Sequence, residues 1–456
     1  MGLLAAIALA LALGLWVLIA LPDVSKGITK PNVLLVLVDD AHPSMVNRIP
    51  AVRELLVRQG TTYQNAVSNY PLCCPGRVAL LRGQYAHNHL IAGNDGTKFF
   101  EYVYQESNLP TWLNGVGYRT ALFGKYLNNY SGNDIPPGWD RWYAWNGPYE
   151  GWSSVNEQGR TFALVKREAD ALLSEKALRF LNHTPKDTPF FVWAGFGAPH
   201  KPYYHDASTK DRFTEAKVPR TPAFDEADVS DKPPPLRDNP PLSDDQKAQL
   251  DAAYRNGLRG LLQVDAFLRK AVATLRERRM LRNTYIFFYS DNGNHFGEHR
   301  LLHGKNKPYE TDINFPFIVR GPGVPEGVTS HNLIANHDFA PTVADLVGAS
   351  TPTFVDGRSF RPLLNNPRGT AWPRKQVLVE HSVRIPWNAI RYEDSVYVEY
   401  TTERHPERRD WTEYYDLRGD PYEIHNTPSL APADAPTLLA DLKACQGAEC
   451  RRLENQ

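Results

Sequence analysis

The amino-acid sequence predicts an α/β fold: a large, mostly parallel sheet flanked by helices, followed by a smaller C-terminal α+β subdomain. Three observations predict it. Short, continuous apolar runs recur along the chain, helical patterns separate them, and four of the runs end abruptly in residues fit for chemistry. Continuous β-branched and aromatic runs of this length suit strands buried on both faces. Strands alternating with helices imply a parallel sheet covered on both sides.

The elements follow in order. Val33–Val38 runs into Asp39 and Asp40, and Ala51–Gln59 has a helical pattern. Tyr118–Phe123 runs into Gly124 and Lys125; Ala163–Leu181 is again helical. Phe190–Phe196 leads to Ala198, Pro199 and His200. Residues 203–242, rich in Pro, Asp and Lys, read as a long surface excursion, and Ser243–Arg278 reads as a helix. Tyr285–Tyr289 passes through Ser290 into Asp291, Asn292 and Gly293, and a fifth run, Phe315–Val319, precedes Arg320. In parallel sheets, sites form beyond the carboxyl ends of the strands. The first four runs therefore predict one constellation. After about Pro367 the texture changes: Gln376–Glu380, Ala389–Tyr392 and Ser395–Thr401 suit short strands, and a last helix is expected around Ala435–Lys443.

The chain divides accordingly into residues 1–30, a catalytic region over 31–366 and a C-terminal subdomain over 367–456. Gly2–Pro22 carries no charge and is about long enough to span a bilayer. A signal peptide and an uncleaved membrane anchor both fit it. Cys445 and Cys450 are close enough in sequence for a short turn to join them, and a bond there would mean an oxidising compartment. Residues 31–456 are thus expected outside the cytoplasm, secreted or anchored on the outer side of a membrane. With 51 basic and 51 acidic side chains the formal charge is zero, so nothing points to nucleic acid, and any positive charge for an anionic substrate must be local.

Asp39, Asp40, Asp291 and Asn292 supply three carboxylates and an amide oxygen, hard donors that suit Ca²⁺ or Mg²⁺ rather than Zn²⁺. Taken singly, Asp39-Asp40 also reads as a helix cap and Asp291-Asn292-Gly293 as a turn. At the ends of two buried-looking strands, a cation explains both.

The most informative stretch is Leu72-Cys73-Cys74-Pro75-Gly76-Arg77, with Gly83 following. Two inert thiols in a turn would not need Pro75 and Arg77 at fixed offsets from Cys73. The stretch resembles the signature of the formylglycine-dependent sulfatases, Cys-x-Pro-x-Arg ahead of a Leu-Leu-x-Gly helix start. Cys73 is in frame and Cys74 is not; the family usually carries Ser where this chain has Gly76, and Thr where it has Arg82. The resemblance extends through "PNVLLVLVDD", "GYRTALFGKYLN", "APHKP", "SDNGNHFGEH" and "HGKNKPYE". Leu127 stands where many arylsulfatases have His. That variant, with "LCCPGR" and "YAHNH", is similar to the branch of N-acetylglucosamine-6-sulfatases and heparan-sulfate 6-O-endosulfatases.

The resemblance implies an alkaline-phosphatase-like fold and hydrolysis of sulfate esters, most of all on sulfated carbohydrates. It implies formylglycine made from Cys73 by a maturation enzyme, and a divalent cation, Ca²⁺ before Mg²⁺, on Asp39, Asp40, residue 73, Asp291 and Asn292. The hydrated aldehyde is a geminal diol: one hydroxyl attacks sulfur, and deprotonation of the other restores the carbonyl and expels sulfate. Arg77 would stabilise the diol, Lys125 and Lys305 would hold sulfate oxygens, and His200 or Lys305 would protonate the leaving alcohol. An arylsulfatase, or a phosphomonoesterase or phosphodiesterase of the superfamily, competes with this reading. A non-catalytic binder of sulfated glycans would be favoured by a missing acid, lysine or Cys73, and none is missing.

Overall fold

A computed structural model describes residues 30–456, except 102–103, 131–133, 147–151, 166–167, 384 and 403–407. The apolar segment Gly2–Pro22 lies outside the described residues. Pro31–Gln456 form one compact unit. No helix among the described residues is long and apolar enough to cross a membrane.

Ten strands make the main sheet: β1 (Asn32–Asp39), β2 (Thr61–Tyr63), β3 (Arg119–Lys125), β4 (Arg141–Asn146), β5 (Trp152–Glu157), β6 (Arg160–Val165), β7 (Phe190–Pro199), β8 (Thr284–Ser290), β9 (Phe317–Arg320) and β10 (Val328–Ser330). Their order is β10-β2-β9-β8-β1-β7-β3-β4-β5-β6. β1 pairs in parallel with β7 and β8, and β3 pairs in parallel with β7 and β4. The four runs expected to converge are therefore adjacent and parallel, and their carboxyl ends share one side of the sheet. β9 runs antiparallel to β8, which sends Arg320 to the other end.

β1 explains why continuous apolar runs mark this core. Leu34, Val36 and Val38 pack on one face with helices α2 (Ala169–His183) and α3 (Asp244–Glu277). Val33, Leu35 and Leu37 pack on the other with α1 (Cys73–Arg82) and α4 (Phe339–Val347). All six side chains are fully buried, each worth roughly 1.5–3 kcal/mol relative to exposure. α3 starts where Ser243 and Gln246 form a capping box. α2 starts later than its sequence pattern suggests, because Arg160–Val165 pairs with Trp152–Glu157 as a hairpin at the sheet edge. Val52–Val57, within the helix expected over Ala51–Gln59, is a π-helical turn.

Past residue 367, β11 (Gln376–His381), β12 (Trp387–Tyr392), β13 (Ser395–Tyr400) and β14 (Trp411–Asp416) form a small antiparallel sheet. The sequence predicts three of these strands; the fourth, β14, pairs antiparallel with β13. Helix α5 (Ala435–Ala444) shares a core with this sheet, and Cys445 is disulfide-bonded to Cys450.

Candidate active site

The carboxyl ends of β1, β3, β7 and β8 meet the N-terminus of α1. Asp39 is the last residue of β1, and Asp40 turns away with a left-handed φ of 64°. That turn lets the Asp40 amide donate to Asp291 Oδ1 at 3.2 Å and the Ala41 amide to Ser290 Oγ at 3.0 Å. β1 and β8 are thereby tied together where their acids emerge.

Cys73 is the first residue of α1, so its thiol stands at the positive end of the helix dipole. α1 packs tightly on this strand end: a Cβ at Gly76 would lie 2.7 Å from the Asp291 carbonyl oxygen. Glycine here, in place of the family's serine, permits that approach. Cys73 Sγ lies 3.3 Å from Asp39 Oδ1 and 3.7 Å from Asp40 Oδ1, and Lys305 Nζ donates to it at 2.7 Å. Lys305 also donates to Asp40 Oδ1. Lys125, closing β3, donates to Asp39 Oδ2 at 2.5 Å. Arg77, one turn along α1, donates through Nε to Asp291 Oδ2 at 2.8 Å and through one Nη to the Lys125 carbonyl at 3.0 Å. His200 Nε2 is 3.5 Å from Asp40 Oδ2. Every sequence-predicted site residue thus falls within one cluster.

Burial and charge set the protonation states. Burial would raise Asp39, but Lys125, His200, Arg77 and Lys305 hold it well below the usual carboxylate range. Burial likewise opposes Asp40, and Lys305 and His200 bring it down. Asp291 goes the other way: burial and the charge of Asp39 push it up to about 6 despite Arg77. Burial raises the Cys73 thiol well above its ordinary value, so an unmodified cysteine here is a neutral, weak nucleophile. Burial opposes the charge on Lys305, yet the carboxylate of Asp40, with Asp39 behind it, holds its ammonium charged. His200 is lowered by burial more than Asp40 and Asp39 raise it.

The donor set suits a hard cation. Asp39, Asp40, Cys73 and Asp291 bring ligand atoms within 4.8 Å of one another. Asn292 Nδ2 donates to Asp40 Oδ1 at 2.8 Å and to the Gly293 carbonyl, whereas Asn292 Oδ1 is buried and accepts nothing. A buried carbonyl oxygen without a donor costs about 1–3 kcal/mol, and a cation would satisfy it.

Three histidines that follow Asp291 in the chain, His295, His299 and His303, differ in surroundings. His295 bonds Asp312 at 2.9 Å and His299 bonds Glu226 at 2.6 Å, both buried and tied to carboxylates. His303 is held at about 3 by burial, and its ring meets the Tyr203 hydroxyl at 3.0 Å. Tyr203 lies near enough to Asp40 for that charge to reinforce the upward push of burial on its hydroxyl. Sequence reasoning had placed Tyr203 in the surface excursion. Its position one residue past Ala198–Pro202 was the available signal.

A sulfatase family model matches residues 31–349, and a model described as N-sulphoglucosamine sulphohydrolase, C-terminal, matches residues 297–442. The N-acetylglucosamine-6-sulfatase of Capra hircus is 31% identical over 94% of this chain and 86% of its own length. The human N-acetylglucosamine-6-sulfatase is 33% identical over 78% of this chain and 68% of its own. The Extracellular sulfatase SULF-1 homolog of Drosophila melanogaster is also 33% identical over 78% of this chain, which spans only 33% of that protein's length. The fold is shared with a solved structure described as bound to its substrate D-glucosamine-2-N,6-O-disulfate, with a TM-score of 0.72 at 21% identity, covering 93% of this chain and 99% of that one. It is shared too with a phosphonate monoester hydrolase from Silicibacter pomeroyi, with a TM-score of 0.66 at 20% identity, covering 93% and 96%. Family match and site agree: the chain belongs to the sulfatases, and it is a sulfuric ester hydrolase.

Proposed function

We propose that the chain removes sulfate from sulfated sugars outside the cytoplasm, after oxidation of Cys73 to formylglycine by a maturation enzyme. The observation that carries the reading is the setting of Cys73 Sγ, between Asp39, Asp40 and Lys305 at the head of α1. The names of the 31–33% identical relatives support the sugar 6-sulfate class. The Cys445–Cys450 bond supports an oxidising compartment.

The thiol sulfur marks the place of the modified side chain's oxygens. When present, the hydrated aldehyde supplies a nucleophilic hydroxyl and a second hydroxyl whose deprotonation releases sulfate. Asp39, Asp40, Asp291 and Asn292 would hold Ca²⁺, or Mg²⁺, which supplies positive charge and acidifies the nucleophile. The chain's own residues do the rest. Lys125 and Lys305 oppose the sulfate's negative charge, helped by the α1 N-terminus. Arg77 fixes Asp291 and the Lys125 backbone, so it positions the site. His200, beside Asp40 and less buried than the acids, is the proton donor for the departing sugar oxygen.

The test is to express the full chain with a formylglycine-generating enzyme and assay it on defined sulfated mono- and oligosaccharides, nitrophenyl sulfate and phosphate esters. Peptide mass spectrometry should find the aldehyde at residue 73 and a thiol at residue 74, with turnover of sugar sulfates. Full activity with an intact Cys73 thiol would defeat the mechanism. Turnover of aryl sulfates or phosphate esters with none of any sugar sulfate would defeat the substrate class.

A further inference from the structure

The end of the main sheet opposite Cys73 carries a charge pattern that sulfate hydrolysis does not use. One groove there, of about 1000 Å³, is lined by Arg276, Arg279, Arg282 and Arg320, with Glu326. Arg276, Arg279 and Arg282 follow one another from the last turn of α3 to the start of β8 and are all exposed, and Arg320 closes the antiparallel β9. Burial and the neighbouring charge of Arg276 both lower Arg320, as expected where positive charges crowd. A second groove, of about 510 Å³, is lined by Arg119, Arg141 and Arg179, while Lys176 in the same wall is already paired with Glu157 at 2.6 Å. Arg119 and Arg141 open β3 and β4, and Arg179 lies in the last turn of α2, so both grooves face the same end. In a chain of zero net charge, this concentration is an asymmetry of the fold rather than a general basicity.

A second observation points to the occupant. β1 begins at Asn32, at this same end of the sheet. Only residues 23–30 separate its start from the uncharged apolar Gly2–Pro22, a stretch that extends to about 28 Å at most. We propose that this basic end is a membrane-facing surface that binds the phosphate headgroups of anionic phospholipids, which turns the site around Cys73 away from the bilayer. The surface goes beyond sulfate hydrolysis and rests on the uncleaved-anchor reading of Gly2–Pro22 rather than the signal-peptide one. A sulfated polysaccharide is the other polyanion of matching charge. Geometry favours lipid, because β1 separates these grooves from Asp39 by about 26 Å, and a glycan held there is not presented to the catalytic residues.

The experiment uses the full chain, diluted from detergent onto vesicles of pure phosphatidylcholine or of phosphatidylcholine with a quarter phosphatidylglycerol, and reads partition by flotation. Wild type should partition better onto the anionic vesicles, and 0.5 M salt should remove the gain. Replacing three exposed charges (Arg276→Gln, Arg279→Gln and Arg282→Gln together) should cut the gain about a hundredfold. Hydrolysis of a small aryl sulfate should stay unchanged, which reports that the variant is folded. Arg141→Gln with Arg179→Gln, in the other groove, is the second variant and should cut the gain as well. No gain from anionic lipid, or a gain untouched by both variants, would overturn the proposal. So would variants that lose binding to a heparin-like polysaccharide while their lipid partition is unchanged. Partition onto neutral vesicles reports separately on Gly2–Pro22, so failure of the anchor reading is distinguishable from failure of the basic surface.

Discussion

Two of the buried charge clusters among the described residues are built differently. Around Cys73, three acids meet Arg77 and the point charges of two lysines, and Asn292 Oδ1 is left without a donor. Beneath the small C-terminal sheet, Arg374 and Arg358 meet Asp338 and Glu454. There Arg374 forks: it donates to both oxygens of Asp338 and, through Nε at 2.9 Å, to Glu454 Oε2. The other oxygen of Glu454 accepts from the Tyr85 hydroxyl and lies 3.4 Å from His337 Nε2. A guanidinium fork fixes both partners in a plane, whereas an ammonium on a flexible stem can be re-aimed. Under the proposed function, the first cluster would exchange its internal partners for a cation and a sulfate. The second joins the last residues of the chain to α4 and β11.

The largest difference should appear on removing one group from each. Cys73→Ala deletes the nucleophile's position and should lower kcat on the order of 10⁴- to 10⁶-fold. Stability should change by no more than about 1 kcal/mol, since little volume is lost. Arg374→Met does the reverse. It leaves Asp338 and Glu454 buried against each other and should cost about 3–5 kcal/mol in denaturant unfolding, with kcat per folded molecule nearly unchanged. If Arg374→Met lost catalysis without losing stability, the two clusters would not be separable as described.

A pH series sharpens the same contrast. Burial would raise Glu454, but Arg374, His337 and Arg358 hold it far below the ordinary carboxylate range. A depressed folded-state value means the stability it contributes is present above the unfolded carboxylate value, about 4.3, and is lost as pH falls through the folded one. Wild type should therefore lose unfolding free energy steadily below about pH 4, and Glu454→Gln, already less stable at pH 7, should show a flatter curve. Parallel curves for the two proteins would mean that another carboxylate governs the acid limb.

The catalytic cluster was legible in the sequence, and the structural one was not. Each catalytic residue ends an apolar run or sits in a short motif, because parallel strands deliver their carboxyl-terminal residues to one side. Lys125, His200 and Asp291 stand at or just past strand ends, and the roles proposed for them come from the resemblance of their segments to the family's motifs. Arg374 lies in an irregular segment, 36 residues from Asp338 at a helix start and 80 from Glu454 at a helix end, with no periodicity to connect them. The edge hairpin Trp152–Val165 escaped for a related reason. The alternation of Arg160–Val165 continues into the helical pattern of Ala169–His183, and only the cross-strand partner at Trp152–Glu157 reveals the strand. The reversed direction of β9 was equally hidden, since an apolar run reads the same in either direction.

The smallest effect discriminates within the catalytic cluster. His200 Nε2 faces Asp40 Oδ2 at 3.5 Å, and its ring is less buried than Lys125. A sugar alkoxide is a far poorer leaving group than a nitrophenolate, so its departure depends more on a donated proton in the transition state. His200→Ala should depress hydrolysis of a sugar 6-sulfate on the order of 10²-fold, and hydrolysis of nitrophenyl sulfate much less. Lys125→Ala should weaken both substrates alike, because it opposes the charge of the sulfate group common to the two. Aldehyde content at residue 73 and metal loading must match across variants, since each scales both rates together. Burial already lowers His200, so the protonated donor is the minority form at neutral pH and the sugar-sulfate rate of wild type should fall as pH rises. Equal losses on both substrates after His200→Ala would move proton donation to Lys305, whose ammonium is held charged by Asp40 and already reaches residue 73.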